Sequence, residues 1–412
     1  MNPGYKQTEV GVIPEDWEVG SLKQAFPRLD AGVSVNSDDS ESSDYYILKT
    51  SAVRNGNVNI KEAKPVIRSD YERLKCPVKK GSIIISRMNT PAMVGECGFS
   101  TIDAPNTFLP DRLWQIEPSS PDYDFQWLNY LLNTEKYSAA IRAAATGTSN
   151  SMKNIAKERL LEISIPKPPC PEQERIAEAL SDMDELISSL EKLIEKKKAI
   201  KQGAMQELLT GKRRLPGFSG EWKSLQLRQL GRFVGGGTPS TNKTDWWKGK
   251  IPWISSSDLD DNQVHNVQIH RYISQDAVAH SATCLCPVGT VLVVSRVGVG
   301  KVAVAPVDLC TSQDFTNIII ERCNSTFIAY VLSDVMRERA SMTQGTSIKG
   351  VTSNEIGSII ITIPAKQEQD EIVKVLDNID KDIDAIRKKY MKACQIKQGM
   401  MQQLLTGTIR LV

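Results

Sequence analysis

Histidine is scarce in this chain. There are three, His265, His270 and His280, all in one short segment. That is poor material for acid–base catalysis or a metal centre. The eight cysteines, at 76, 97, 170, 284, 286, 310, 323 and 394, contain no C-x-x-C pair. Their scatter argues against a zinc site or a disulfide framework and predicts reduced thiols in a cytoplasm. No apolar run approaches the ~20 residues that span a bilayer. The first residues lack a basic segment followed by an apolar one, so no signal peptide is expected. A charge excess is missing as well: 51 Lys and Arg stand against 49 Asp and Glu. Net charge therefore does not point to nucleic acid, and any DNA-binding face must be a local patch.

Catalytic signatures are also missing. Gly298-Val299-Gly300-Lys301 fails the spacing of a phosphate-binding Walker loop. No Asp/Asn-Pro-Pro-Tyr run of an amino-methyltransferase occurs, and Pro110-Asp111 has no downstream Glu-x-Lys partner of a nuclease. Gly235-Gly236-Gly237-Thr238-Pro239-Ser240 is neither a Walker loop nor G-x-G-x-x-G, and by itself reads as a flexible turn. The chain reads as non-catalytic.

What is present is a repeat. In 172–211, Ile176, Leu180, Met183, Ile187, Leu190 and Ile194 are spaced 4, 3, 4, 3, 4. That is a coiled-coil seam, and a seam needs a facing helix. The partner lies 196 residues on, where Glu368 answers to Glu172 and Ile372, Leu376, Ile379, Ile383, Ile386 and Tyr390 repeat the seam. Glu-Gln starts both stretches, Lys-Gln-Gly recurs at 201–203 and 397–399, and Leu-Leu-Thr-Gly ends both, at Gly211 and Gly407. Each stretch is acidic in its first half and basic in its second. Antiparallel pairing places acid beside base, so the two helices are expected to run in opposite directions.

The duplication continues outside the helices. Gly147-Thr148-Ser149 precedes Ile165-Pro166 by the same interval as Gly345-Thr346-Ser347 precedes Ile363-Pro364. Ser86-Arg87 and Ser295-Arg296 each follow a β-branched run, and Trp17 is echoed by Trp222. Strands are expected at 45–48, 82–86, 113–117 and 162–166, and again at 253–255, 290–295, 317–321 and 358–363. Head helices are expected at 125–145 and 325–340. The plan is head, helix, head, helix, with two heads of about 150 residues that differ greatly between shared landmarks.

The order of these elements resembles the specificity subunits of type I restriction–modification enzymes. The resemblance rests on Gly236-Gly237-Thr238-Pro239-Ser240, Trp246-Trp247, Ile251-Pro252-Trp253-Ile254, the 289–300 run with Ser295-Arg296, and the repeated helix ends. It covers the whole chain twice. The first head departs from it, with Gly32-Val33-Ser34 where the second has the full Gly-Gly-Thr-Pro-Ser. The resemblance implies an α+β fold: two mixed α/β target recognition domains, 1–166 and 214–364, joined by conserved-region helices, 167–213 and 365–412, in an antiparallel coiled coil with pseudo-two-fold internal repeat. It implies that each head reads half of a bipartite, asymmetric site on double-stranded DNA, and that the helix pair sets the spacing and docks two methylation subunits. Restriction subunits would join through that complex, and S-adenosylmethionine, ATP and magnesium would belong to the partners. No membrane is implied.

Side chains that can contact bases or phosphates are Arg, Lys, Asn, Gln, Ser and Thr. In the first head the candidates are Ser51, Arg54, Arg87, Asn89, Thr148, Ser149, Asn150 and Lys153. In the second they are Thr238, Ser240, Asn242, Lys243, Ser256, Ser257, Arg296, Lys301, Thr346, Ser347 and Lys349. Arg87 and Arg296 lead because both end a strand at matching places. Solvated loop residues are the plainer reading for each candidate, and Trp246, Trp247 and Trp253 suit a core better than base stacking. A coiled-coil adaptor that holds only proteins is the rival function, and an enzyme with fused recognition heads a weaker third.

Overall fold

The computed structural model describes residues 4–40, 42–118, 120–146, 152–260, 263–342 and 350–412, without the side chains of 341 and 342. The two seam stretches are single helices, Cys170–Leu208 and Lys366–Leu404, each of 39 residues. The chain divides into two compact units, residues 1–189 with 390–412, and residues 190–389. Each unit holds one head, part of one long helix and part of the other.

Within each unit the helix segments run antiparallel. In the first unit Asp184 pairs with Lys397 at 2.5 Å, and Glu172, nearer one helix start, pairs with Arg410, just past the other helix's end, at 2.6 Å. In the second, Asp380 takes Lys201 at 2.9 Å and Glu368 takes Arg214 at 2.6 Å. Acid meets base as the charge gradients require. Every seam residue is buried or half-buried. The first two of each seam do more than face a helix. Ile176 and Leu180 belong to the core of the first head, and Ile372 and Leu376 to that of the second.

The repeated helix motifs are fastenings. Glu172 and Glu368 are each 2% exposed and receive two nitrogens of one arginine, a bidentate geometry that a lysine cannot supply. The same guanidinium lies over a tryptophan, Arg410 on Trp17 and Arg214 on Trp222. Gly211 and Gly407 end the helices at φ 72° and 73°, a left-handed turn open to glycine, and Trp222 and Trp17 lie against them. Gln173 and Gln369 reach the backbone N–H of Asp124 and Asn324, both at 2.9 Å, and thereby tie each long helix to a head helix. Lys201 and Lys397 each lie over a tyrosine ring, Tyr330 and Tyr130, whose hydroxyl donates to the same aspartate that pairs with the lysine.

Each head has two main sheets of four or more strands and a helical layer, with further two- and three-stranded sheets in the first head and a two-stranded one in the second. In the first, a six-stranded sheet runs Asp30–Ala31, Leu113–Ile116, Ile83–Ser86, Cys97–Phe99, Gly56–Val58, Val53–Arg54. In the second, the matching sheet runs Gly231–Gly235, Phe315–Ile320, Val291–Val294, Val302–Val304. The central strands, Ile-Ile-Ile-Ser and Val-Leu-Val-Val, are buried throughout. Both faces are covered: Ile83 and Ile85 pack in the helix-side core and Ile84 in the core beneath the second sheet, as Val291 and Val293 do against Leu292 and Val294. A strand buried on both sides reads as an unbroken apolar run, and each such side chain contributes about 1.5–3 kcal/mol. The second sheets match too, with Tyr46–Leu48 parallel to Ala104–Phe108 and Ile251–Ile254 parallel to Leu309–Thr311.

Two expectations need correction. The head helix expected over 125–145 is two helices, Phe125–Leu132 and Glu135–Ala143, because Thr134 between them takes extended backbone (φ −69°, ψ 154°). Its second-head counterpart is one helix, Ser325–Met342. The pairing of Ile165-Pro166 with Ile363-Pro364 is displaced by two. Leu22 N–H donates to Ile163 O and Leu227 N–H to Ile359 O, and Gln173 and Gln369 donate to the carbonyls of Pro168 and Pro364. Pro364 therefore answers to Pro168, and the 196-residue offset of the helices extends back through this strand.

Candidate nucleic-acid interface

The end of each central strand is where the heads compare most closely. In the first, Arg87 N–H donates to Arg112 O (3.0 Å), and Arg87 O accepts from Ile155 N–H (2.9 Å). In the second, the residue with those bonds is Ser295, to Asp314 O (2.7 Å) and from Val351 N–H (2.7 Å). Ser295 thus occupies the place of Arg87, and Arg296 that of Met88. The expectation that Arg87 and Arg296 match is off by one residue. Each apolar run was matched from its end, and the second is one residue longer. A shift of one reverses the face a side chain takes. Arg87 accordingly turns onto the ring of Trp114, 5.4 Å from its centroid, with its Nε buried and without a hydrogen-bond partner among the described residues. At the corresponding pair in the second head, Thr316 donates to Ser295 Oγ at 3.0 Å. Arg296 instead is exposed and borders a cleft of about 790 Å³ that Gly236, Gln313, Phe315, Gly350 and Thr352 also line.

The glycine-rich run beside that cleft follows from close packing. A Cβ on Gly236 would lie 1.9 Å from Ser312 O, and one on Gly237 2.5 Å from Ala282 C. These positions admit no side chain, and the reading as a flexible turn gives way to a backbone pressed between two neighbours. The first head does the same with one glycine: a Cβ on Gly32 would lie 1.4 Å from Leu109 O. Val33 N–H donates to Leu109 O and Gly237 N–H to Thr311 O, so Val33 and Gly237 hold one place. Gly32-Val33-Ser34 is the structural counterpart of Gly236-Gly237-Thr238.

The other candidates divide by environment. Asn89 and Lys153 face each other in a small sheet of Met88–Asn89, Lys153–Ile155 and Ala145–Thr146, next to Arg87. Asn89 donates to Ser86 Oγ at 3.2 Å. Ser51 and Arg54 lie exposed near the edge of the six-stranded sheet, with Ser51 donating to Glu62 at 2.8 Å. Thr238 is bonded to Gln313, on the cleft wall. Ser240 accepts from Trp247 Nε1 through its carbonyl, and Asn242 is exposed. Lys243 lies over Trp246 at 3.9 Å. Ser256 sits against Gly298 at the cleft, and Ser257 bonds Ser255 at 2.9 Å. Lys301 donates to Leu259 O at 3.0 Å, within its own head. Thr148, Ser149, Asn150, Thr346, Ser347 and Lys349 lie outside the described residues. Trp253 is core, 3% exposed, its indole N–H donating to Gly237 O at 3.0 Å.

The sequence reading missed Met88, Thr146 and Asn154. The ladder sets them side by side on the face opposite Ile155, which is buried. Alternation about the apolar Ile155 was the available signal. It also missed His265, which bonds Asp377 of the second long helix at 2.8 Å. That hydrogen bond raises the imidazole above its ordinary pKa. Among the described residues no cluster of His, Cys, Asp or Glu could hold a metal ion, and no helix is long and apolar enough to cross a membrane.

Residues 14–202 and 219–393 match the family described as type I restriction modification DNA specificity domain. The specificity subunit of the type I restriction enzyme EcoR124I/EcoR124II of Escherichia coli is 32% identical over 188 residues, 43% of this chain and 45% of that one. The MjaVIII specificity subunit of Methanocaldococcus jannaschii is 23% identical over 97% of this chain and 94% of its own. The crystal structure of an S subunit from M. genitalium superposes with a TM-score of 0.61 at 17% identity, over 98% of this chain and 99% of that one. Two copies of the matched domain, each running well into its long helix, make this chain a member of the type I restriction–modification specificity-subunit family.

Proposed function

We propose that this chain is the non-catalytic DNA-reading subunit of its system, in which each head reads one half of a bipartite, asymmetric target on double-stranded DNA. The observation that carries the reading is one framework built twice with different residues at one matched place, Met88 and Asn154 in one head and Arg296 and Gly350 in the other. Corresponding fastenings at Glu172–Arg410 and Glu368–Arg214 support two equivalent seats for two methylation subunits, through which restriction subunits join. The helix pair sets the gap between half-sites. S-adenosylmethionine, ATP and magnesium serve chemistry on the partners, and the complex works in the cytoplasm.

The test is methylome sequencing of a host carrying this chain with its partner subunits. A split, asymmetric methylated motif is expected, lost when residues 222–362 are removed. Equal methylation of the same motif after that removal would contradict the reading.

A further inference from the structure

The first head's three-stranded sheet places Met88 opposite Asn154 in its ladder. The second head places Arg296 beside Gly350 at the same position, fixed by the equivalent bonds of Arg87 and Ser295. The two pairs exclude each other sterically. A Cβ on Gly350 would lie 2.8 Å from Ser295 O and 3.2 Å from Arg296 Cγ, so the arginine takes its course across this spot only because the facing residue has no side chain. In the first head the facing residue is Asn154 instead, exposed on a ribbon strand, and the residue at the arginine's place is an uncharged methionine. Neither the Asn154 amide nor the Arg296 guanidinium has a hydrogen-bond or ionic partner among the described residues, although neighbouring polar side chains such as Asn89, Ser295 and Thr316 are bonded. A planar polar group without a partner among the described residues therefore belongs to the matched residue pair of each head, an amide on one member in the first and a guanidinium on the other member in the second.

These two groups have different complements on a base edge. An amide pairs bidentately with N6 and N7 of adenine, a guanidinium with O6 and N7 of guanine. We infer that this strand-end position reads a base in each half-site, adenine through Asn154 in the first head and guanine through Arg296 in the second. The inference rests on the DNA-reading function proposed above and adds which residues set one letter in each half. Arg87, although an arginine one residue away, is excluded from that role by its place on Trp114.

The experiment is methylome sequencing of hosts carrying the intact complex with Arg296→Ala or Asn154→Ala. Arg296→Ala is expected to make one G·C position of one half-site degenerate, with discrimination there falling roughly 5- to 150-fold, and to leave the other half unchanged. Asn154→Ala is expected to do the same at one A·T position of the other half. Met88→Arg combined with Asn154→Gly is expected to change that A·T to G·C. An unchanged motif, degeneracy in both halves from one substitution, or loss of methylation at every site would overturn the assignment. A wild-type motif that is not split would instead overturn the underlying function.

Discussion

His265 joins the second head to its long helix through Asp377, whose carboxyl also accepts from the Tyr330 hydroxyl at 2.9 Å. Asp380 and Lys201 face the same imidazole, the first raising and the second lowering its pKa. The net shift is upward, so the folded-state pKa lies above 6.5. A histidine raised on folding contributes stability fully below the unfolded pKa and loses it as pH rises through the folded one. The His265 resonance is therefore expected to titrate above pH 6.5 and to fall back toward it in Asp377→Asn. Titration at or below 6.5 in the unchanged protein would show that the pair does not form. At this scale the sequence was partly legible. Asn55-Gly56 is a hairpin signal that went unused, and it forms a two-residue turn, both residues at positive φ (51° and 81°), beside Arg54. Arg296 was a candidate contact in the sequence, and the structure leaves it exposed at a cleft. Its match to Arg87 was not sound, because a pattern of apolar residues marks a strand but leaves its register free by one.

The long helices were legible almost to the residue, since a seam, a charge gradient and a repeated end all demand the same pairing. Less legible was the work of the repeated charges. Lys201 and Asp380 are buried, with side chains 10% and 7% exposed, while the equivalent Lys397 and Asp184 are 23% and 44% exposed. Stripping one partner from a buried pair costs about 3–5 kcal/mol, and from a solvated pair about 1 kcal/mol or less. Lys201→Met is expected to destabilise the second unit by about 3 kcal/mol and Lys397→Met the first by about 1 kcal/mol or less. Urea titration of each variant checks this, and equal losses would show that burial does not separate the two sites. The glycine-rich run was misread for a related reason. A glycine required by a neighbour's carbonyl and one required by a turn look alike until the neighbour is placed, and that neighbour lies about 75 residues away in both heads, Leu109 for Gly32 and Ser312 for Gly236.

For the molecule as a whole, duplication was the most legible property, because it needs no propensity argument: two heads, two helices, one offset. Its divergent part, the sides of the heads that differ, could be located only once the shared frame had been superposed bond by bond. That frame runs from Leu22 to Ile163 in one head and from Leu227 to Ile359 in the other, each closed by a backbone hydrogen bond of 3.0 and 2.9 Å. The most direct measurement is the methylome of a host carrying the complex in which residues 227–359 are replaced by a second copy of 22–163. Two identical heads on one repeated scaffold predict a target made of the first half-site twice. Survival of the original asymmetric target, both halves intact, would contradict the claim that each head reads its own half.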